Sequence, residues 1–251
     1  MTVSSINGIA FTSLSAIDGR TLSTLTAVNG QTIAAVPSPE VEFDGRNLSG
    51  ANNDPITTWV DSSGNGRDAT SAGAGTIQNN VLNGHPVSRW TGGAGNGLDF
   101  TGNAVTDVFT VIAVAKCTDS NNRTILAEGT GGDGPPRFAI DTNKIWLAED
   151  DDGATVMTAS TSLSTSTFYT VAVTWDGSSN AFNFYLNGSG DGSGTNASAS
   201  YTRRFSRIGM RSGNQNTFNG DIAYVAYWNS VLSGSELTAV FDDLRTVWAH
   251  Y

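Results

Sequence analysis

The sequence predicts an all-β protein: two antiparallel sheets stacked as a sandwich, a short C-terminal helix, and a β-repeat arm in front. Three observations carry this. Twelve short β-rich runs are separated by turn words such as Asn-Gly, Asp-Gly and Gly-Gly, glycine occupies 29 of 251 positions, and charged residues make up only 14%. Twelve strands are more than one open sheet carries without curling or splitting, so two stacked layers follow.

The arm comes first. Ile6-Asn7-Gly8, Ile17-Asp18-Gly19 and Val28-Asn29-Gly30 repeat one pattern, and no copy of it occurs after Val36. Asn-Gly and Asp-Gly favour the type I′ hairpin turn, and an apolar residue follows each one (Ile9, Leu22, Ile33), so a unit reads as strand-turn-strand. The competing reading, a helix of eleven-residue period, fails on a glycine in every unit and on the β-branched content. Each unit has too few apolar groups to offset its own ordering entropy, and the whole arm falls short of the roughly 40 residues that fold unaided. Those nine residues are therefore the candidates for anchoring and oligomerisation. Pro37 and Pro39 make 37–40 a stiff extended joint, and the sandwich domain spans 41–251.

The strand runs are Val41–Phe43, Thr57–Val60, Val87–Trp90, Leu98–Phe100, Phe109–Lys116, Thr124–Glu128, Arg137–Ile140, Lys144–Ala148, Thr167–Trp175, Ala181–Leu186, Phe205–Met210 and Gly220–Trp228. Val171, Val173 and Trp175 are expected to face Phe182, Phe184 and Leu186 across a hairpin. In the last run, period-two alternation puts Ile222, Tyr224, Ala226 and Trp228 on one face and Ala223, Val225 and Tyr227 on the other. Both faces are apolar, as a strand covered on two sides requires. The Gly/Ser-rich segment 187–198 reads as a hairpin tip or interstrand loop. It lacks the Lys-Ser/Thr end and following helix of a phosphate-binding loop. Ser233 and Glu236 have capping-box spacing, and Leu237, Val240, Phe241, Leu244, Val247 and Trp248 form one helical stripe, with Asp242, Asp243 and Arg245 outward.

Charge and residue chemistry exclude several functions. A net charge of −10 opposes nucleic-acid binding, and the one basic cluster, Arg203, Arg204, Arg207 and Arg211, reads as an interface or solvated strand edge. No apolar stretch approaches the roughly 18 residues of a membrane span, and the N-terminus lacks the charged and apolar regions of a signal peptide. A soluble chain made without export is the expectation. Cys117 sits in an apolar run and reads as a buried thiol. His85 and His250 lack partners for catalysis or for a histidine metal site, and Gly-x-Ser-x-Gly does not occur.

Three stretches together resemble the concanavalin A-like, laminin-G-like jelly-roll family. They are Thr57–Trp90 with its Asp-x-Ser-Gly-Asn-Gly word, the hairpin 168–188 with Trp175-Asp176-Gly177 and Leu186-Asn187-Gly188, and the closing 207–237 with Phe218-Asn219-Gly220-Asp221-Ile222-Ala223. The resemblance implies a jelly-roll sandwich that hosts lectins and glycosidases alike. Retaining glucanases of the wider superfamily carry Glu-x-Asp-x-x-Glu, which holds two carboxylates about 5–5.5 Å apart. Here Glu149 and Asp151 are in phase but Ala154 stands in the acid position, so no catalytic residue is assigned. Laminin-G-like domains often hold calcium at a sandwich edge, which implies Asp150, Asp151 and Asp152, or Asp133, as oxygen ligands, with a solvated acidic turn as the alternative.

The Asn-Gly arm ahead of such a domain is similar to the arms of tailed-bacteriophage virion proteins. That resemblance implies a non-enzymatic capsid decoration or head-fibre protein at the virion surface. It would dock on the major capsid protein or another virion component, often as a homotrimer. The alternative is a lectin-like module that binds a host surface glycan.

Overall fold

The computed structural model describes residues 35–251, apart from 94–96, 103–106, 129–135, 149–155, 197–204 and 212–215, together with four two-residue strands ahead of residue 35. Those four are β1 (Ser5–Ile6), β2 (Ile9–Ala10), β3 (Ala27–Val28) and β4 (Gln31–Thr32). β1 pairs with β2, Ile6 opposite Ile9, and β3 pairs with β4, Val28 opposite Gln31, so each pair flanks an Asn-Gly word. Each pair is a sheet of its own and shares no strand with the sandwich among the described residues. The candidates Ile17, Asp18 and Gly19 lie outside the described residues, as do Asn7, Gly8, Asn29 and Gly30.

The sandwich is built from β5 (Val41–Asp44), β6 (Pro55–Trp59), β7 (Ala69–Leu82), β8 (His85–Thr91), β9 (Leu98–Asp99), β10 (Val108–Cys117), β11 (Arg123–Ala127), β12 (Arg137–Asp141), β13 (Lys144–Ala148), β14 (Val156–Thr158), β15 (Tyr169–Asp176), β16 (Ala181–Leu186), β17 (Ser189–Thr195), β18 (Arg207–Ile208) and β19 (Asn219–Trp228). They follow one hydrogen-bonded path, β14-β13-β12-β11-β18-β9-β7-β8-β19-β10-β15-β16-β17, with β5 on β19 and β6 on β7. β7 joins the two layers, because Thr70 pairs with Asp99 of β9 while Thr76, Ile77 and Gln78 pair with β8.

Apolar burial between the layers supplies the main driving force. Phe138, Leu147 and Met157 come from one layer and meet Val173, Phe184, Val225 and Tyr227 from the other. The helix α1 (Gly234–Trp248) covers the outer face of the second layer, packing Leu237, Val240, Phe241, Leu244 and Trp248 over Ile112, Val114, Ala226 and Trp228. Its capping box forms as expected: Ser233 accepts the Glu236 amide, and Glu236 accepts the Ser233 amide at 2.7 Å. The expected hairpin also forms in register, with Val171, Val173 and Trp175 opposite Leu186, Phe184 and Phe182. Burial pushes the Cys117 thiol up to about 12, so it stays protonated and unreactive.

Three expectations are corrected. Ile222 does not share a face with Tyr224; it joins Val225 and Tyr227 in the inter-layer core, while Ala223 and Tyr224 both face α1. A bulge is the cause: β10 runs from Val114 to Ala115 while β19 runs from Tyr224 to Ile222, so Ala223 is the extra residue that breaks the alternation. The second correction adds strands that lack apolar alternation. β7 is rich in Gly, Ala, Ser and Asn, and its Gly75 lies against Trp90, where a Cβ would come within 3.3 Å of the indole.

The third correction concerns 187–198, which is not a loose tip: Ser189–Thr195 is β17, an edge strand paired with β16. Asp191 there is only 6% exposed. Its Oδ1 accepts the Thr161 amide at 2.9 Å, and its carbonyl accepts the Ser160 amide at 2.9 Å. Residues 159–161 continue directly from β14, so Asp191 fastens the two ends of the strand path to each other.

The Phe-Asn-Gly-Asp-Ile-Ala word now has a physical account. Gly220 has φ +143°, and a Cβ there would overlap the Lys116 carbonyl of β10. Asp221, fully buried, takes Arg89 at 2.7 Å and Lys116 at 2.6 Å. Gly220→Ala is therefore expected to destabilise the sandwich by at least about 3 kcal/mol, read as a fall in the urea midpoint with an unchanged slope.

Candidate functional site

The point where the arm leaves the sandwich is fixed by one carboxylate. Asp61 follows β6 in the Asp-Ser-Ser-Gly-Asn-Gly loop and is buried. Its Oδ1 accepts the amides of Glu42 at 3.0 Å and Ser63 at 2.9 Å, and its Oδ2 accepts the Ser63 hydroxyl at 2.8 Å and the Arg67 amide at 3.0 Å. Aspartate suits this position because its short side chain bonds backbone two residues on. The loop is thus wound round a single side chain.

That loop grips the joint. Asn65 donates from Nδ2 to the carbonyls of Pro39 at 3.2 Å and Glu40 at 3.1 Å, and Arg67 pairs with the Glu40 carboxylate at 2.8 Å. From the other side, Trp228 donates its indole N–H to the Pro37 carbonyl at 2.8 Å, and the Glu40 amide bonds the Tyr227 carbonyl at 2.8 Å. Prolines have no amide to offer, so a proline-rich segment is held through its carbonyls by side-chain donors. Val36 packs against the apolar cluster beneath α1. The 37–40 joint is accordingly a fastened root rather than a free spacer. Asp61, Asn65, Arg67 and Trp228 were not singled out from sequence as holding the arm; the Asx-turn word was the available signal for the first three, and Trp228 gave none.

Several charged residues of the sandwich make similar bonds. Buried Asp44 binds Arg46 at 2.6 Å, Asp221 binds Arg89 and Lys116, and Asp191 fastens the sheet ends. Arg123 holds Asp119 well below the usual carboxylate range, aided by an Asn219 amide at 2.8 Å. Of the basic cluster, Arg207 pairs with Asp99, and Arg203 and Arg204 lie outside the described residues. The calcium candidates Asp150, Asp151, Asp152 and Asp133, and Glu149, also lie outside them. Among the described residues no group of three or more His, Cys, Asp or Glu could hold a metal, and no helix is long and apolar enough to cross a membrane.

The outer face of the β11–β14 layer carries Ala139, Trp146 and Ala148, with the Arg137 guanidinium 4.0 Å above the Trp146 ring. At the end of α1, His250 lies 3.1 Å from the Thr170 hydroxyl through Nε2, and burial lowers it from 6.5 to about 4, so it is neutral at pH 7.

A family model described as the concanavalin A-like lectin/glucanases superfamily matches residues 91–238. A search of characterised protein sequences returned no significant match. Among solved structures, domain 4 of AbnA, an extracellular arabinanase from Geobacillus stearothermophilus in complex with arabinotriose, aligns at TM-score 0.57 and 14% identity over 80% of this chain and 97% of that one. The Botulinum neurotoxin serotype D ligand binding domain in complex with N-acetylneuraminic acid aligns at TM-score 0.54 and 16% identity, over 82% of this chain and 50% of that one. Trypanosoma rangeli sialidase in complex with the inhibitor DANA aligns at 0.57 and 16%, over 87% and 35%. The chain thus spans about half or less of the toxin and sialidase chains. At these identities the likeness is one of fold.

Two measurements test this geometry. Trp228→Phe keeps an aromatic ring but loses the bond to Pro37 and part of the packing beneath α1; it should cost at least about 1 kcal/mol and speed proteolytic cleavage within residues 31–40. For His250 the unfolded chain binds more protons than the fold between pH 6.5 and about 4. Its contribution is therefore intact above pH 6.5 and is lost as pH falls toward 4. Urea midpoints across that window should decline less steeply in His250→Gln than in the wild type.

Proposed function

This chain belongs to the concanavalin A-like lectin/glucanases superfamily, and from that premise we propose that it is a non-catalytic virion structural protein, a capsid decoration or head-fibre protein of a tailed bacteriophage. The observation that carries the reading is the arm: two hairpins of two-residue strands that form sheets apart from the sandwich, ahead of a fastened root. A lone two-stranded hairpin is marginal in water, and its edges offer unpaired N–H and C=O groups to another chain. The arm is completed by the major capsid protein or another virion component, or by the arms of two further copies in a homotrimer. The sandwich projects from that anchor at the virion surface, and the fastened root sets its angle.

The non-catalytic part of this reading rests on the side chains. Each of Asp44, Asp61, Asp191 and Asp221 is tied into the frame by the bonds described above, which leaves none of these four free to act as acid or nucleophile.

A second reading, a glycan-binding module, is favoured by the likeness to an arabinanase domain solved with arabinotriose and matched over nearly its full length. The two readings are compatible, since a projecting sandwich meets the host surface first. In this reading Asp150, Asp151 and Asp152 are the calcium candidates.

Removal of residues 1–36 separates the readings. On the virion reading the full chain is a trimer by light scattering and residues 37–251 are a monomer that no longer sediments with particles. A full-length monomer whose glycan-array signal is unchanged by the deletion would reject the virion role in favour of the glycan module.

A further inference from the structure

A cleft of about 240 Å³ opens between the β16–β17 turn and the exposed side of α1. That is smaller than the roughly 300–1,000 Å³ that accommodates a drug-sized molecule and is on the scale of one sugar ring. Asn187 and Ser189 of the turn, Phe241, Asp242 and Arg245 of the helix, and Tyr251 line it.

Its walls are fixed by bonds that leave hydrogen-bonding groups over. Asn187 and Gly188 have φ +50° and +81°, the two positive values of a type I′ turn. Asn187 pins that turn by accepting the Thr170 amide on Oδ1 at 2.9 Å, a bond that uses its oxygen and not its amide donors. Arg245 donates to Asp242 at 2.6 Å, yet the two side chains remain 54% and 56% exposed. The pair therefore presents carboxylate acceptors and guanidinium donors side by side. Tyr251 is 37% exposed. Its hydroxyl donates to the Phe241 carbonyl at 3.3 Å, and its ring meets His250 edge-on at 4.6 Å, which holds an aromatic ring beside the ion pair.

We infer that this cleft binds one neutral sugar ring of a glycan, an inference that rests on the glycan-binding reading above. Neighbouring hydroxyls of a sugar each donate and accept, the pattern an aspartate–arginine pair answers, and the C–H face of the ring packs on an aromatic side chain. Charge selects the neutral class. Asp242, the adjacent exposed Asp243 and a net charge of −10 repel an anionic sugar, while Arg245 repels a cationic one.

Saturation-transfer NMR on the full chain, with arabinotriose and a panel of neutral methyl glycosides as probes, tests the cleft. At least one probe should bind with Kd on the order of millimolar. Asp242→Asn and Arg245→Gln should each weaken it about tenfold or more, and Thr158→Ala, at an exposed position of β14, should leave it unchanged. Both cleft positions are exposed, so unaltered melting curves should accompany the loss. A probe that binds the wild type and both variants alike overturns the cleft and leaves the glycan reading standing. Silence of every probe on the wild type overturns both.

Discussion

Strand β19 has to be buried on both faces while it pairs with β10, β8 and β5, and the rest of the molecule is arranged round that constraint. A strand in this position has no solvent side on which to place polar residues. It meets the requirement with Ile222, Val225 and Tyr227 toward the inter-layer core and Ala223, Tyr224, Ala226 and Trp228 toward the helix. The one charge it carries, Asp221, is neutralised by Arg89 and Lys116 from the strands on either side. The same strand ends in the two groups that hold the joint, the Tyr227 carbonyl and the Trp228 indole. Core, helix and root are thus referred to a single element.

Much of this was legible in the sequence wherever side chains do the stabilising. The facing residues of the β15–β16 hairpin were readable because aromatic and aliphatic groups alternate in two runs, one ending in a Trp-Asp-Gly word and the other in a Leu-Asn-Gly word. The terminal helix was readable because a capping box precedes a clean stripe. Legibility ended where the main chain takes over. β7 and β17 are held by ladder bonds and by glycines that permit close approach, and no apolar period marks them. Ile222 changed faces because a bulge is a property of pairing, visible only once β10 lies beside β19. Of the candidate site, the arm was legible as a repeat, whereas its fastening was not, because the donors come from positions far apart in the chain.

The two parts of the chain meet opposite physical demands. Each repeat unit of the arm has few apolar groups with which to offset its own ordering entropy. The sandwich answers the buried carboxylates of Asp44, Asp61 and Asp221 with donors of its own, and among the described residues it presents few large exposed apolar side chains, Val60, Val231 and Tyr251. Between them stands a root whose prolines are gripped by their carbonyls.

The aspartate in β17 bears on what happens when many copies stand close together. A sheet with two bare ends is a template on which neighbouring molecules zip into fibres. Here an inward-turned acid stitches one rim to the chain leaving the opposite rim, and the glycine after it, at φ +115°, lets that chain lie flush. The hydrogen-bonding capacity of both rims is partly spent within the molecule. Two copies brought together edge to edge therefore meet rims that are already partly occupied, which disfavours strand-to-strand fusion of one sandwich with the next.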